Sequence, residues 1–231
     1  MVVHPRYPDL VLTDAAEVSA DLIPDRLRPY RAALQATVAW SWSYLCRPHS
    51  RLGRRGAVCP YARSSLRSGG FYLGVCGGRP RGPRQVADRL LHYREWFAEL
   101  EPRTGRDALL KAILVLFPEV PREDWPTIID GSQALLKPEY VRHGLMIGEF
   151  HDGPPPRSGL HNPDFRPLRS PVPMLVIRQM VATDLPFLRG DREFFDAYLA
   201  RFGDRLPAAE LLRFEAAVRR FEFEHAGGAI R

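Results

Sequence analysis

A chain of 231 residues that is 45% hydrophobic and 26% charged can bury one sizeable core, and this balance excludes wholesale disorder. The formal charge is +6, but the 33 basic residues include only two lysines, Lys111 and Lys137, and the arginines run along the whole chain. Nucleic acid is therefore not expected as a partner.

Cys46, Cys59 and Cys76 are spaced by 13 and 17 residues with no CxxC pair, so a zinc knuckle has no support and a reducing cytoplasm is the expected setting. Met1 to Leu12 lacks the continuous apolar stretch of a signal peptide. The longest apolar run, Leu109 to Phe117, contains Lys111 and is too short to span a bilayer, so no membrane partner is expected. Residues 1–23 read as an N-terminal arm and 24–231 as one domain.

Arg28 to Cys46 has Tyr30, Leu34, Val38 and Leu45 at helical spacing. Trp40 and Trp42 fall on different faces of that helix, so one of them is free to line a pocket, with core packing as the ordinary alternative. Residues 47–58 are rich in arginine and glycine and read as irregular, followed by a short turn or helix start at Cys59-Pro60-Tyr61-Ala62. Phe71 to Val75 reads as a strand, and Val86, Leu90, Tyr93 and Phe97 mark the buried stripe of the next helix. Ala112 to Phe117 suits a buried strand. Ile128 to His143 reads as a helix broken or kinked by Pro138. Leu145 to His151 and Met174 to Val181 are two further strands. Helices are expected at Asp191 to Phe202 and Pro207 to Glu224, the last with a stripe of Leu211, Phe214, Val218 and Phe221.

No helix separates the third and fourth strands, which favours an antiparallel pairing there. The expected fold is α+β: a small, mostly antiparallel sheet of about four strands packed with helices. No GxGxxG or GxxxxGK[ST] follows a strand, which disfavours a nucleotide-binding sheet.

The loop between the last two strands holds seven prolines. Unstructured connections longer than about 12 residues are uncommon and usually functional, and proline lowers the entropy of fixing one shape. Glu149 and His151 share a strand face with Ile147, and His151 stands where the strand ends. His161 opens the run His161-Asn162-Pro163-Asp164-Phe165-Arg166-Pro167-Leu168-Arg169-Ser170-Pro171. Imidazole ligates metals and guanidinium pairs with carboxylate, so this combination suits a ligand carrying both. Each residue has a plainer reading as well: a hydrogen-bonded loop histidine, arginines that cap carbonyls or pair with Asp164, a small buried thiol at Cys59. No GxSxG nucleophile elbow occurs, and the local signatures of cysteine hydrolases are absent.

The blocks Gly144 to His151 (GLMIGEFH) and Asn162 to Met174 (NPDFRPLRSPVPM) resemble an actinobacterial family of unknown function. So do Val58-Cys59-Pro60-Tyr61-Ala62, Gly70-Phe71-Tyr72-Leu73 and Phe117-Pro118. The same order of features resembles, more distantly, the YqcI/YcgG family, whose members include haem-dependent N-oxygenases of amino acids in natural-product pathways. The chain departs from that pattern where Asn162 separates His161 from Pro163 and where Arg169-Ser170-Pro171 reverses the family's Ser-Arg order. The resemblance implies haem as cofactor, with His161 as axial ligand and His151 and Cys59 as competitors for that role. It also implies Arg166 and Arg169 as propionate anchors and Glu149 as the counter-charge of an amine-bearing substrate. An external electron donor is expected, and a homodimer is compatible. The alternatives are a non-haem metal enzyme using His151 and His161, a non-catalytic haem or ligand carrier, and an interaction protein with an acidic partner.

Overall fold

A computed structural model describes residues 1–103, 105–156, 162–188, 190–205, 212 and 216. Its centre is a mixed sheet of six strands in the order β1-β2-β3-β4-β6-β5. The strands are β1 (Val2–Val3), β2 (Val11–Asp14), β3 (Phe71–Val75), β4 (Ala112–Leu116), β5 (Leu145–Phe150) and β6 (Met174–Gln179). Every neighbouring pair is antiparallel except β3 and β4. The α+β class and the antiparallel β5–β6 pairing agree with the sequence reading; the strand count is six instead of four. The two extra strands come from the stretch read as an arm. There Val11, Leu12 and Thr13 are buried, a short apolar patch that carries too few residues for a clear period.

Period-two alternation distributes the strand side chains between two layers. Ile113 and Val115 of β4 enter one core cluster and Leu114 and Leu116 the other. On the first face lie α4 (Pro83–Glu99) and α6 (Gly131–Arg142). The α4 stripe buries Val86, Leu90, Tyr93, Trp96 and Phe97, each worth about 1.5–3 kcal/mol of removed apolar surface. The opposite face is covered by α1 (Ala15–Ser19), α2 (Arg31–Trp40) and α3 (Ala62–Ser68), through Val18, Leu34, Val38, Ala62 and Leu66. One short helical turn, α5 (Gly105–Ala108), precedes β4. The last described helix, α7 (Arg192–Phe202), packs Phe195 and Tyr198 against Val141 and Met146 in a third cluster.

Two local features set the frame of the site. The segment predicted as one helix over 28–46 consists of a 3-10 turn (Arg28–Tyr30), α2 and a π-helical turn (Ser41–Leu45). The wider turn leaves Ser41 and Leu45 buried and Trp42 exposed. Helix α6 runs through Pro138 without ending there. Leu136, Tyr140 and Val141 hold it to the core, and Ala134, whose carbonyl loses its donor to Pro138, is solvent-exposed. Gly144 then turns the chain into β5 with φ +70°, a conformation natural to glycine, and the Arg201 guanidinium lies where a Cβ would stand. Leu211, Phe214, Val218 and Phe221 of the expected closing helix lie outside the described residues. No helix among the described residues is long and apolar enough to cross a membrane.

Candidate functional site

One cleft of about 640 Å³ opens where the end of α2, the arginine-rich loop, the chain after β4 and the proline-rich connection between β5 and β6 meet. That volume falls within the range of about 300–1,000 Å³ usual for small-molecule sites. Each wall comes from a local feature of the sequence. Trp40, at the C-terminal end of α2, stacks on Tyr44 of the π-helical turn, with ring centroids 5.7 Å apart at 24°. The edge of Phe150, the last residue of β5, meets Trp40 at 6.1 Å. Opposite, Phe165 of the proline-rich connection stacks on His49 at 4.6 Å. Trp125, on the turn before α6, supplies a further ring and donates its indole N–H to the Val120 carbonyl. Aromatic faces thus dominate the apolar lining.

Four guanidinium groups enter this space: Arg51, Arg122, Arg166 and Arg169. They differ in what they already hold. Arg169 and Arg122 share Asp152: Arg169 Nε donates to Oδ1 at 2.9 Å, and an Arg122 terminal nitrogen donates to Oδ2 at 3.0 Å. Arg169 above all, then Arg122, keeps the Asp152 carboxyl below the usual carboxylate range. Arg51 donates to the Asp164 carbonyl at 3.1 Å, and Arg166 to the Pro163 carbonyl at 2.7 Å and the Phe165 carbonyl at 3.3 Å. Neither has a carboxylate within ion-pair distance among the described residues, so both retain positive charge for a ligand. Asn162 locks the connection to the arginine-rich loop, donating to the Arg51 carbonyl at 2.8 Å and accepting from the Asp164 N–H at 3.0 Å. The Tyr44 hydroxyl donates to the Arg166 carbonyl at 3.5 Å, and burial pushes its pKa up, against a smaller lowering pull from Arg169.

Of the residues singled out in the sequence, Arg166 and Arg169 meet in this cleft. Arg169 arrives already paired, and Arg166 braces its own loop. His161 lies outside the described residues. His151 sits one layer behind the lining: its carbonyl accepts the Ser170 N–H at 3.2 Å, and its ring lies 5.3 Å from that of Trp125. It is fully buried, with Nε2 2.8 Å from Asp130 Oδ1 and Nδ1 without a hydrogen-bond partner. A ring nitrogen held by a carboxylate while the other stays open is the arrangement seen around metal-ligating imidazoles. Glu149 is buried on β5 and does not line the cleft. Cys59 is half-buried on the second core cluster near Cys46, with its N–H on the Leu45 carbonyl, and likewise stands outside the cleft. His49 does line it, but its Nδ1 accepts the Arg51 N–H at 3.2 Å. The neutral ring then carries its proton on Nε2, which leaves no lone pair there for a metal.

Sequence reasoning missed Tyr44, His49, Arg122, Trp125, Asp130 and Asp152. Asp152 had a signal, standing next to His151. Arg122 and Asp130 reach the site only through the β4-to-α6 connection, whose path no short-range pattern reveals. No group of three or more histidine, cysteine, aspartate or glutamate side chains among the described residues is arranged to hold a metal ion.

No curated protein and no solved structure matches this chain. A family model described as a domain of unknown function, DUF6875, matches residues 34–213, a span that holds all the cleft residues named above, and the chain belongs to that family.

Proposed function

We propose that the cleft binds a flat organic group carrying two carboxylates, and that this group is haem, serving an oxygenase that acts on the nitrogen of an amine-bearing substrate. The observation that carries the reading is the pair Arg51 and Arg166, two guanidiniums free of carboxylate partners among the described residues, in a cleft walled by Trp40, Tyr44 and Phe165. The donor set fits the anchoring half of the group: bidentate arginines for propionates and aromatic faces for the ring. Haem, when bound, would supply oxygen activation. The chain would fix the ring between aromatic walls, hold its carboxylates and keep water from its faces.

A haem iron needs one protein ligand, whereas a non-haem site needs several, and the described residues offer no such cluster. His161, in the proline-rich connection by sequence, is the candidate for that single bond; Nδ1 of His151 has no hydrogen-bond partner but is buried and does not line the cleft. Glu149, which the resemblance implies as the counter-charge of the substrate, is buried on β5 outside the cleft, so a substrate head held in the cleft would not reach it without rearrangement. Turnover would draw on an external electron donor. A cytoplasmic setting accords with three free thiols, Cys46, Cys59 and Cys76. The absorption spectrum of the purified protein, and of protein titrated with hemin, tests the reading. A Soret band that shifts on binding in one-to-one stoichiometry supports it; hemin that stays free in the presence of folded protein ends it.

A further inference from the structure

Between Asp25 and Asp88 the chain holds twelve arginines and no aspartate or glutamate, leaving 21 basic against 27 acidic residues in the rest. The arginines run along the whole chain, but the acidic residues do not, so positive charge is concentrated in this stretch of the sequence. Arg47, Arg51, Arg54, Arg55, Arg63 and Arg67 are all exposed, and none forms an ion pair among the described residues. Within the same stretch Arg28, Arg31 and Arg79 pair with Asp25, Asp21 and Asp124, and outside it Arg6 pairs with Glu95 and Arg178 with Asp184.

The fold gathers these six groups. Residues 47–58 form a closed loop, with a bridge between Pro48 and Ala57 and with the Val58 N–H on the Arg47 carbonyl. Arg63, on α3, donates to the Cys46 carbonyl at the base of that loop, and the charges of Arg63, Arg47 and Arg67 all act on the Cys46 thiol. Arg54 and Arg51 spend their donors on backbone carbonyls, which orients the guanidiniums without neutralising them. The π-helical turn that leads into this loop carries Trp42, which is 37% exposed. A solvent-facing indole five residues before Arg47 adds a stacking face to the phosphate donors.

We infer that the surface from Trp42 to Arg67 binds single-stranded nucleic acid, phosphates on the arginines and a base stacked on Trp42. This goes beyond the cleft reading and does not rest on it. An acidic protein would also satisfy the arginines, and competition by poly-glutamate is its outcome in the test; an indole face with phosphate donors and no carboxylate nearby in sequence is the pairing that single strands use. Folded full-length protein is titrated into a labelled single-stranded oligonucleotide of about 15 nucleotides, and anisotropy is followed across salt concentrations. Binding is expected to weaken steeply with salt. The R54Q/R55Q double variant should reduce the log–log salt slope by about 1.4, and W42A should weaken affinity about 5- to 150-fold. R63Q/R67Q gives a second reading of the slope that does not touch Trp42 or the cleft. Three results would overturn the inference: no binding at low salt, unchanged affinity of W42A, or competition by poly-glutamate as effective as by the oligonucleotide.

Discussion

Lys111 is the least expected charge in the molecule. It is 1% exposed, its Nζ donates to the Leu100 carbonyl at 2.6 Å, and it lies 4.6 Å above the Phe97 ring. Burial pulls its pKa from the usual 10.5 down to about 8, with Glu101 opposing and Arg103 assisting. At about 1.4 kcal/mol per pH unit, that displacement is about 3 kcal/mol of disfavour for the folded state whenever the amine is charged. The folded pKa is depressed, so the unfolded chain binds the extra proton between about pH 8 and 10.5, and stability rises with pH across that interval. Replacing Lys111 by methionine removes the titration at similar volume but leaves the Leu100 carbonyl without its donor, at a cost of about 1–3 kcal/mol. The two effects nearly cancel near neutrality, so the decisive observable is the slope. In urea unfolding from about pH 7 to 9.5, the wild type should gain about 2 kcal/mol relative to K111M. That range stays below the ordinary tyrosine pKa, which matters because burial raises the hydroxyls of Tyr93 and Tyr140. A stability difference that is flat with pH would refute the reasoning.

Two further outcomes follow from buried groups. His4 is buried, its Nδ1 accepts the N–H groups of Arg6 and Tyr7, its Nε2 has no partner, and burial lowers its pKa below 6.5. The contribution of neutral His4 is therefore intact above pH 6.5 and is lost as pH falls through the folded value, which NMR titration of the ring should place below 6.5. Asp184, also buried, accepts from both terminal nitrogens of Arg178 at 2.6 and 2.7 Å and from the Val181 N–H at 2.8 Å. D184A leaves a guanidinium, itself about a third exposed, without its counter-charge and should cost about 1.5–3 kcal/mol in denaturant unfolding; a loss under about 0.5 kcal/mol would mean that water already shares the pair.

The sequence was most legible where one period persists. The stripe Val86, Leu90, Tyr93, Phe97 located α4, and apolar runs located β3 to β6, because burial on one face or both leaves a repeating mark. It was least legible at β1 and β2, two and four residues long: β1 is held by β2, and β2 by β3 far along the chain, with no local period to mark either. The proline-braced connection was found from its prolines, and Arg166 and Arg169 of that segment do reach a cleft. The cleft's far wall was invisible: Trp125 and Arg122 come from the connection between β4 and α6, and only the sheet order brings it beside the end of β5. Whether an arginine is already neutralised also escapes sequence. Arg169 meets Asp152, whereas Arg166 meets only carbonyls among the described residues, though the two stand three residues apart.

The claim on which the functional account rests is that Arg51 and Arg166 hold the carboxylates of a flat ligand between Trp40, Tyr44 and Phe165. Parallel titrations with hemin and with its dimethyl ester, which keeps the ring and iron but has no carboxylate, test this directly. Hemin should bind wild-type protein at least about tenfold more tightly than the ester, and the R51Q/R166Q variant should erase that difference while still binding the ester. Equal affinities for the two ligands, or a preference for hemin that survives in R51Q/R166Q, would contradict it.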